Sequence, residues 1–181
     1  MMHQDIERIL LTEEQIRSRI QELGKELMRD YADKNPVFIG VLKGVVVFYA
    51  DMIRAFDAHC QLDFMWISSY QGTQSTGNTR VRQDVSADLK GRHVVILEDI
   101  LDTGRSLKFV VQHLKDKGAA SVRICTLLDK PEGRVPGYEI QAEYVGFTIP
   151  NAFVVGYGLD YDEKYRNLPY VGILKPEVYE K

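Results

Sequence analysis

Cysteine is scarce in this chain and long apolar runs are absent. The only two cysteines, Cys60 and Cys125, are far apart in apolar surroundings, so we expect free thiols in a reducing compartment. No run approaches the roughly 18 apolar residues of a membrane span. Residues 1–15 carry acids where a secretory signal would be apolar. The sequence therefore predicts a cytoplasmic protein with no membrane partner.

A large excess of charge of one sign is also lacking. The formal net charge is −3 and no strip is rich in lysine and arginine, so we expect no nucleic-acid partner. Charged residues make up only 27% of the 181 residues, whereas apolar residues make up 45%. That apolar content is enough for one domain of ordinary size with a sizeable core.

Several motifs of well-known enzyme classes are missing. There is no HExxH, CxxC or GxSxG, and no GxGxxG follows a strand, so the common zinc, serine-hydrolase and dinucleotide sites are not indicated. Gly72 and Gly77 have the spacing of a P-loop, but Asn78 stands where that loop requires lysine. The four histidines are scattered and predict no metal site.

Periodic apolar residues predict a helix near the N-terminus. Thr12 and Gln15 have the spacing of a capping box. The apolar residues that follow fall on one helical face: Ile16, Ile20, Leu23 and Leu27.

The middle of the chain alternates apolar strands with amphipathic helices. Strands are predicted at 37–42, 62–68, 93–97 and 121–128, and helices at 45–56 and from Leu107 to Gly118. This order predicts an α/β fold with a parallel sheet and helices on both faces. The polar stretch 69–92 predicts a long loop, and short strands are expected at 142–148, 153–158 and 170–174.

The stretch HVVILEDILDTGRSL, residues 93–107, joins a buried strand to acids and a polar turn. Glu98 and Asp99 fall at the carboxyl end of the strand, which is where parallel sheets bind ligands. The turn 102–106 opens the next helix, and helix N-termini bind phosphate. A sugar phosphate needs both features. The alternative is that Asp102 or Thr103 caps the helix and the other acids are solvated.

ILEDILDTGRSL closely resembles the phosphoribosyl pyrophosphate signature of the type I phosphoribosyltransferases, in the hypoxanthine-guanine branch. Further segments match in the same order over most of residues 10–175. They are VLKG at 41–44, SSY at 68–70, LLDK at 127–130 and the run 153–174. The resemblance implies one domain over 1–181, with a core at roughly 30–150 and a flap from the N-terminal segment and 151–181. It also implies a lid at roughly 69–86 and a homodimer or homotetramer.

The resemblance implies a reaction and its cofactor. Hypoxanthine or guanine would react with phosphoribosyl pyrophosphate to give IMP or GMP and pyrophosphate, with Mg²⁺. Glu98 and Asp99 would hold the ribose hydroxyls, partly through a metal, and Asp102 would be the general base at purine N7. The 5′-phosphate would bind to Thr103, Gly104, Arg105 and Ser106. The preferred purine stays open.

Other roles are implied by the same resemblance. Purine binding is assigned to Lys130, Phe153, Val154 and Asp160, and Asp160 would also hold a second metal ion. Pyrophosphate binding is assigned to Lys43, Gly44 and Arg166, with a cis peptide bond leading into Lys43. Ser69 and Tyr70 would belong to the lid. Without the resemblance, Lys130 and Arg166 would be typical surface residues and Phe153 a core residue.

Two other protein classes are alternatives to this interpretation. A receiver domain would place its acid pair near the N-terminus, whereas Glu98 and Asp99 lie in mid-chain. A receiver also needs a phosphoaccepting aspartate after a later strand, and Asp129 is followed directly by Lys-Pro. An RNA-binding regulator built on the phosphoribosyl pyrophosphate domain would need a basic face, which the net charge of −3 disfavours.

Overall fold

The computed structural model of the chain describes residues 1–69 and 79–180. The strands are β1 Ile6–Leu11, β2 Val37–Leu42, β3 Gln61–Ser69, β4 Thr79–Gln83, β5 His93–Leu101, β6 Ser121–Asp129, β7 Tyr144–Thr148, β8 Val154–Val155 and β9 Val171–Leu174. The α-helices are α1 Glu13–Tyr31, α2 Val46–Ala55, α3 Arg105–Asp116 and α4 Pro176–Tyr179.

Six strands form the central sheet in the order β4-β3-β2-β5-β6-β7, and all neighbours are parallel except β3 and β4. Alternate residues of β5 point to opposite faces. Val95 and Leu97 pack in the core that contains α1 and α2, whereas Val94 and Ile96 pack with α3. The predicted parallel sheet with helices on both faces is therefore confirmed.

The start of α1 follows directly from its sequence. The Thr12 hydroxyl accepts from the Gln15 N–H at 3.1 Å, and the Gln15 side chain accepts from the Thr12 N–H at 2.8 Å. These two bonds satisfy N–H groups that no preceding turn can reach. The helix then buries the predicted apolar face against the sheet.

Three predicted boundaries are wrong by more than two residues. The strand expected at 153–158 covers only Val154–Val155. The strand predicted at 93–97 continues to Leu101, because β5 keeps pairing with β6 after its pairing with β2 ends at Leu97. The stretch 69–92, predicted as a loop, contains strand β4. β4 is a short edge strand whose one apolar residue, Val81, is only partly buried, so its sequence shows too little apolar alternation to identify a strand.

A second, antiparallel sheet joins the two ends of the chain. Its order is β1-β9-β8, with Ile6 opposite Leu174 and Val154 opposite Ile173. The segment after β8 touches the central sheet, since a Cβ added at Gly158 would lie 2.0 Å from the carbonyl oxygen of Gly44. This contact places residues 156–166 beside the carboxyl end of β2.

No helix within residues 1–69 or 79–180 has both the length and the hydrophobicity to cross a membrane. Cys60 and Cys125 are both free thiols, as predicted.

Candidate active site

A cavity of about 280 Å³ opens at the carboxyl ends of β2 and β5. It is lined by residues 41–44 and 98–104, together with Ile67, Ser106 and Leu107. A larger cavity of about 420 Å³ lies between α1 and α2, but it contains neither the acid pair nor the phosphate-type turn. The smaller cavity therefore holds the chemistry predicted from residues 93–107.

Glu98 and Asp99 both belong to β5, where a regular pleat would turn them to opposite faces. Their side chains instead fold along the backbone. Glu98 Oε1 accepts from the Asp99 N–H at 3.2 Å, and Asp99 Oδ1 accepts from the Ile100 N–H at 2.7 Å. This folding puts both residues in the cavity lining.

Burial, together with the neighbouring Asp99 carboxylate, raises the pKa of Glu98 well above its ordinary value. Burial also raises the pKa of Asp99, against the opposing effect of its hydrogen bonds. Asp99 lies so close to Gly44 that a Cβ there would be 2.2 Å from Asp99 Oδ2. Two adjacent, partly buried carboxyl groups of this kind are stabilised by a shared proton, a hydroxyl donor or a cation.

The turn after β5 leaves the N-terminus of α3 open. The N-cap is Gly104, whose φ of +83° suits glycine, and no side chain of the described residues caps the helix. A Cβ at Gly104 would lie 2.4 Å from the Tyr138 carbonyl oxygen. Thr103 Oγ1 only approaches the Arg105 N–H, at 3.5 Å. Asp102 therefore does not cap the helix, and Thr103 contributes only this long bond. The N-terminus of α3 lines the cavity through Thr103, Gly104 and Ser106.

Asp102 and Lys130 meet across the ends of β5 and β6. Lys130 Nζ lies 3.3 Å from Asp102 Oδ2, and the lysine side chain is only 12% exposed. Lys130 is thus not the solvated surface residue that its position alone suggests. A Cβ at Gly133 would lie 1.9 Å from Asp102 Oδ1, so glycine at this turn leaves room for the carboxylate.

Lys43 and Arg166 converge from the two sheets. The peptide bond between Leu42 and Lys43 is cis, as predicted. Glu163 forms ion pairs with both cations, and its distance to Arg166 Nη2 is 3.3 Å. Arg166 also pairs with Asp160 at 3.3 Å and donates to the Gly158 carbonyl at 2.7 Å. Its buried Nε has no hydrogen-bond partner among the described residues.

Asp160 belongs to the segment between β8 and β9, whereas the acid pair belongs to β5. It accepts from the Glu163 N–H at 2.9 Å and pairs with Arg166. Within the described ranges, no group of three or more Asp, Glu, His or Cys residues could hold a metal ion by itself. The carboxylates of the acid pair and of Asp160 are a donor set that suits Mg²⁺, which is usually held by one or two carboxylates together with substrate oxygens and water.

Phe153 and Val154 flank the start of β8. The Phe153 ring is 42% exposed, so the core-packing alternative for it is wrong. It contacts Tyr161 edge-on, with ring centres 5.7 Å apart, while Val154 is buried. Ser69 ends β3, and Tyr70 lies outside the described residues.

Three residues near the cavity were not identified from the sequence. Gly133 makes room for Asp102, Glu163 pairs with Lys43 and Arg166, and Arg134 binds the backbone beside Asp102 and Lys130. In the sequence all three stand in polar turns, where glycine and charged residues are common. Their local pattern carries no signal of a site, because the contacts of Gly133 and Arg134 with Asp102, and of Glu163 with Lys43, join residues distant along the chain.

Comparisons with known proteins agree with this geometry. The profile of the phosphoribosyl transferase domain family matches residues 8–162. The hypoxanthine-guanine phosphoribosyltransferase of Streptococcus pneumoniae is 53% identical over 180 residues, covering 99% of each chain. Its Streptococcus thermophilus counterpart is 51% identical over 182 residues, covering 100% of each. A hypoxanthine phosphoribosyltransferase from Staphylococcus aureus superposes with a TM-score of 0.95 at 49% identity, over 99% of this chain and 97% of that chain. The chain therefore belongs to the hypoxanthine-guanine phosphoribosyltransferase family and is a transferase enzyme.

Proposed function

We propose that this enzyme converts hypoxanthine or guanine and phosphoribosyl pyrophosphate to IMP or GMP and pyrophosphate. The observation that carries the proposal is the Asp102–Lys130 pair, 3.3 Å apart beside the acid pair and the open N-terminus of α3. A carboxylate next to an ammonium matches the N7–H and 6-oxo groups of these two purines. The names of the most similar relatives support the same substrate class.

The phosphoribosyl part binds at the turn between β5 and α3. The N–H groups of residues 103–106 hold the 5′-phosphate, assisted by the hydroxyls of Thr103 and Ser106 and the positive end of the α3 dipole. Glu98 and Asp99 accept hydrogen bonds from the 2′- and 3′-hydroxyls. Burial raises the pKa values of both groups, and hydroxyl donors would stabilise their ionised forms.

The purine binds between Lys130 and the Phe153 ring. Lys130 donates to the 6-oxo group, which disfavours adenine because its 6-amino group is itself a donor. Phe153 stacks on the base through its exposed face. As the purine nitrogen forms its bond to ribose C1, Asp102 accepts the N7 proton and the C1–O bond to pyrophosphate breaks.

The departing pyrophosphate carries away the negative charge. Lys43 and Arg166, the two cations that Glu163 bridges, stabilise it. Glu98 and Asp99 would hold one Mg²⁺ with the ribose, and Asp160 a second beside pyrophosphate. Bound Mg²⁺ would neutralise charge that develops on the leaving group.

A single assay tests the proposal. Pyrophosphate release is measured with hypoxanthine, guanine, xanthine or adenine, in Mg²⁺ and in a chelator. Hypoxanthine or guanine should react and adenine should not, and turnover should require Mg²⁺. Reaction with adenine alone, or with none of the four, would overturn the proposal.

The role of Asp102 is tested by Asp102→Asn. The variant should keep its thermal unfolding temperature and lose more than about tenfold in kcat, since general acid–base groups contribute about 10²–10⁴-fold. Asp116→Asn, which removes a charge from the exposed end of α3, is the matched control and should leave kcat unchanged. Turnover of Asp102→Asn near that of the control excludes Asp102 as the base.

A further inference from the structure

Arg134 lies where the ladder between β5 and β6 ends. The last paired residues are Leu101 and Asp129, after which the two chains separate into different turns. Backbone carbonyls beyond that point need other donors. Arg134 Nη1 donates to the carbonyls of Leu101, Asp102 and Lys130, at 2.9, 3.1 and 3.1 Å.

The guanidinium is also fixed from two other sides. Nη2 pairs with Asp129 Oδ1 at 2.6 Å, and the two side chains are only 13% and 17% exposed. Nε donates to the Ile140 carbonyl at 3.0 Å. A planar group with donors in three directions is thus held by β6, by the turn after β5 and by the 138–140 segment.

One backbone hydrogen bond lies on each side of Arg134. The Lys130 N–H donates to the Leu101 carbonyl at 3.0 Å, and the Val135 N–H donates to the Thr103 carbonyl at 3.1 Å. Between these bonds, the arginine joins the backbone carbonyls of residues 102 and 130. The separation of the two side chains that meet at 3.3 Å therefore depends on it.

We propose that Arg134 is a positioning residue that fixes Asp102 and Lys130 relative to each other for purine recognition. It touches neither the purine nor the ribose and acts through the two backbones that it joins. This inference rests on the proposed function, because it assigns those two side chains to the same base. Binding of phosphoribosyl pyrophosphate should depend less on Arg134. The acid pair and Arg166 are held by other contacts, and the carbonyls of Thr103 and Gly104 accept from the Val135 and Lys108 N–H groups.

The experiment compares Arg134→Met, Arg134→Lys and the control Arg19→Met. Arg19 also donates to two backbone carbonyls, those of Val145 and Gly146 at 2.7 and 2.9 Å, but it lies on α1. Steady-state kinetics give kcat and separate KM values for the purine and for phosphoribosyl pyrophosphate, together with the ratio of guanine to hypoxanthine use. Thermal unfolding is recorded for each variant.

Arg134→Met should raise the purine KM about tenfold and lower kcat by about tenfold to a hundredfold, because small misplacements of reacting groups are costly. The KM for phosphoribosyl pyrophosphate should stay within about twofold. Arg134→Lys keeps the positive charge but lacks the planar guanidinium, so it should restore only part of the loss. Arg19→Met should lower the unfolding temperature without changing either KM.

The inference is wrong if the Arg134 variants change both KM values equally, or if they match Arg19→Met at the same loss of stability. If Arg134→Met does not fold, Arg134→Lys and Asp129→Asn provide the same comparison, since each weakens the pairing at 2.6 Å. Wild-type enzyme that uses neither hypoxanthine nor guanine would instead refute the proposed function. The two failures are therefore distinguishable.

Discussion

Glu163 occupies the space between two cations, Lys43 and Arg166, that the proposed function assigns to pyrophosphate. The Lys43 ammonium is the main cause of the lowered pKa of Glu163, so the glutamate is an anion near neutral pH. Pyrophosphate and this carboxylate need the same donors. Binding of the substrate then requires Glu163 to leave, and release of the product is helped by its return.

Removing that competing anion should tighten pyrophosphate binding. We expect Glu163→Gln to lower the inhibition constant of pyrophosphate by about two- to fivefold, because exposed ion pairs are individually weak. The matched control is Asp162→Asn, which removes the same charge from the preceding residue. Asp162 pairs with Lys164, at 3.8 Å, and with neither Lys43 nor Arg166 among the ion pairs of the described residues. The inhibition constant of pyrophosphate is measured by product inhibition for both variants. Equal tightening in the two variants would show that general electrostatics, and not competition by Glu163, is responsible.

At the level of elements, two glycines allow close approaches with opposite consequences. In the turn after β6, a Cβ at Gly133 would meet the end of the Asp102 side chain, at 1.9 Å. In α1, a Cβ at Gly24 would meet the backbone of α2, 2.5 Å from the Ala55 carbonyl oxygen. A carboxylate can rotate away, whereas packed backbone cannot move without separating the helices.

The pair Gly133→Ala and Gly24→Ala should therefore separate activity from stability. Gly133→Ala should lower kcat about tenfold or more by displacing Asp102, with little change in unfolding temperature. Gly24→Ala should keep its kcat and lose about 3–6 °C, since overpacking outweighs the gain in helix propensity. Kinetics and thermal unfolding of both variants check this. A reversed pattern would contradict the assigned contacts.

Elements with a buried face could be predicted from the sequence, whereas elements that depend on their neighbours could not. Helices and strands with one buried face, such as α1 and β2, could be predicted because periodicity records burial. β4 could not, since it has a single, partly buried apolar residue and is held mainly by backbone hydrogen bonds that any sequence can make. The extension of β5 to Leu101 depends on its partner strand and not on its own residues.

The same distinction applies to the residues of the candidate site. The acids and the turn of residues 98–106 are contiguous, so their common location could be predicted from one stretch of sequence. The partnership of Asp102 with Lys130, and that of both with Arg134, depends on which strands lie side by side. Glu163 reaches Lys43 only because the second sheet packs on the first, which no local pattern records.

On the scale of the whole molecule, the proposed site lies between the two sheets. Lys43 and Gly44 follow β2 of the central sheet, whereas Gly158 and Arg166 lie between β8 and β9 of the antiparallel sheet. Gly44 and Gly158 touch without side chains, so their backbones meet directly. A ligand that contacts both Lys43 and Arg166 therefore joins the sheets, and its binding energy adds to the stability of the whole fold.

Phosphoribosyl pyrophosphate should raise the unfolding temperature only when Mg²⁺ is present. At about 100 times its dissociation constant, a ligand adds about 2.7 kcal/mol, or roughly 5–11 °C for a chain of this size. Glu98 and Asp99 place two carboxyl groups in the cavity lining, and ionised carboxylates repel an uncompensated polyanion, so the chelated sample should show little shift. Differential scanning fluorimetry with Mg²⁺ alone, ligand alone and both gives the comparison. The same shift in chelator as in Mg²⁺ would rule out a bridging cation, and Glu98→Gln with Asp99→Asn should bring the two conditions closer together.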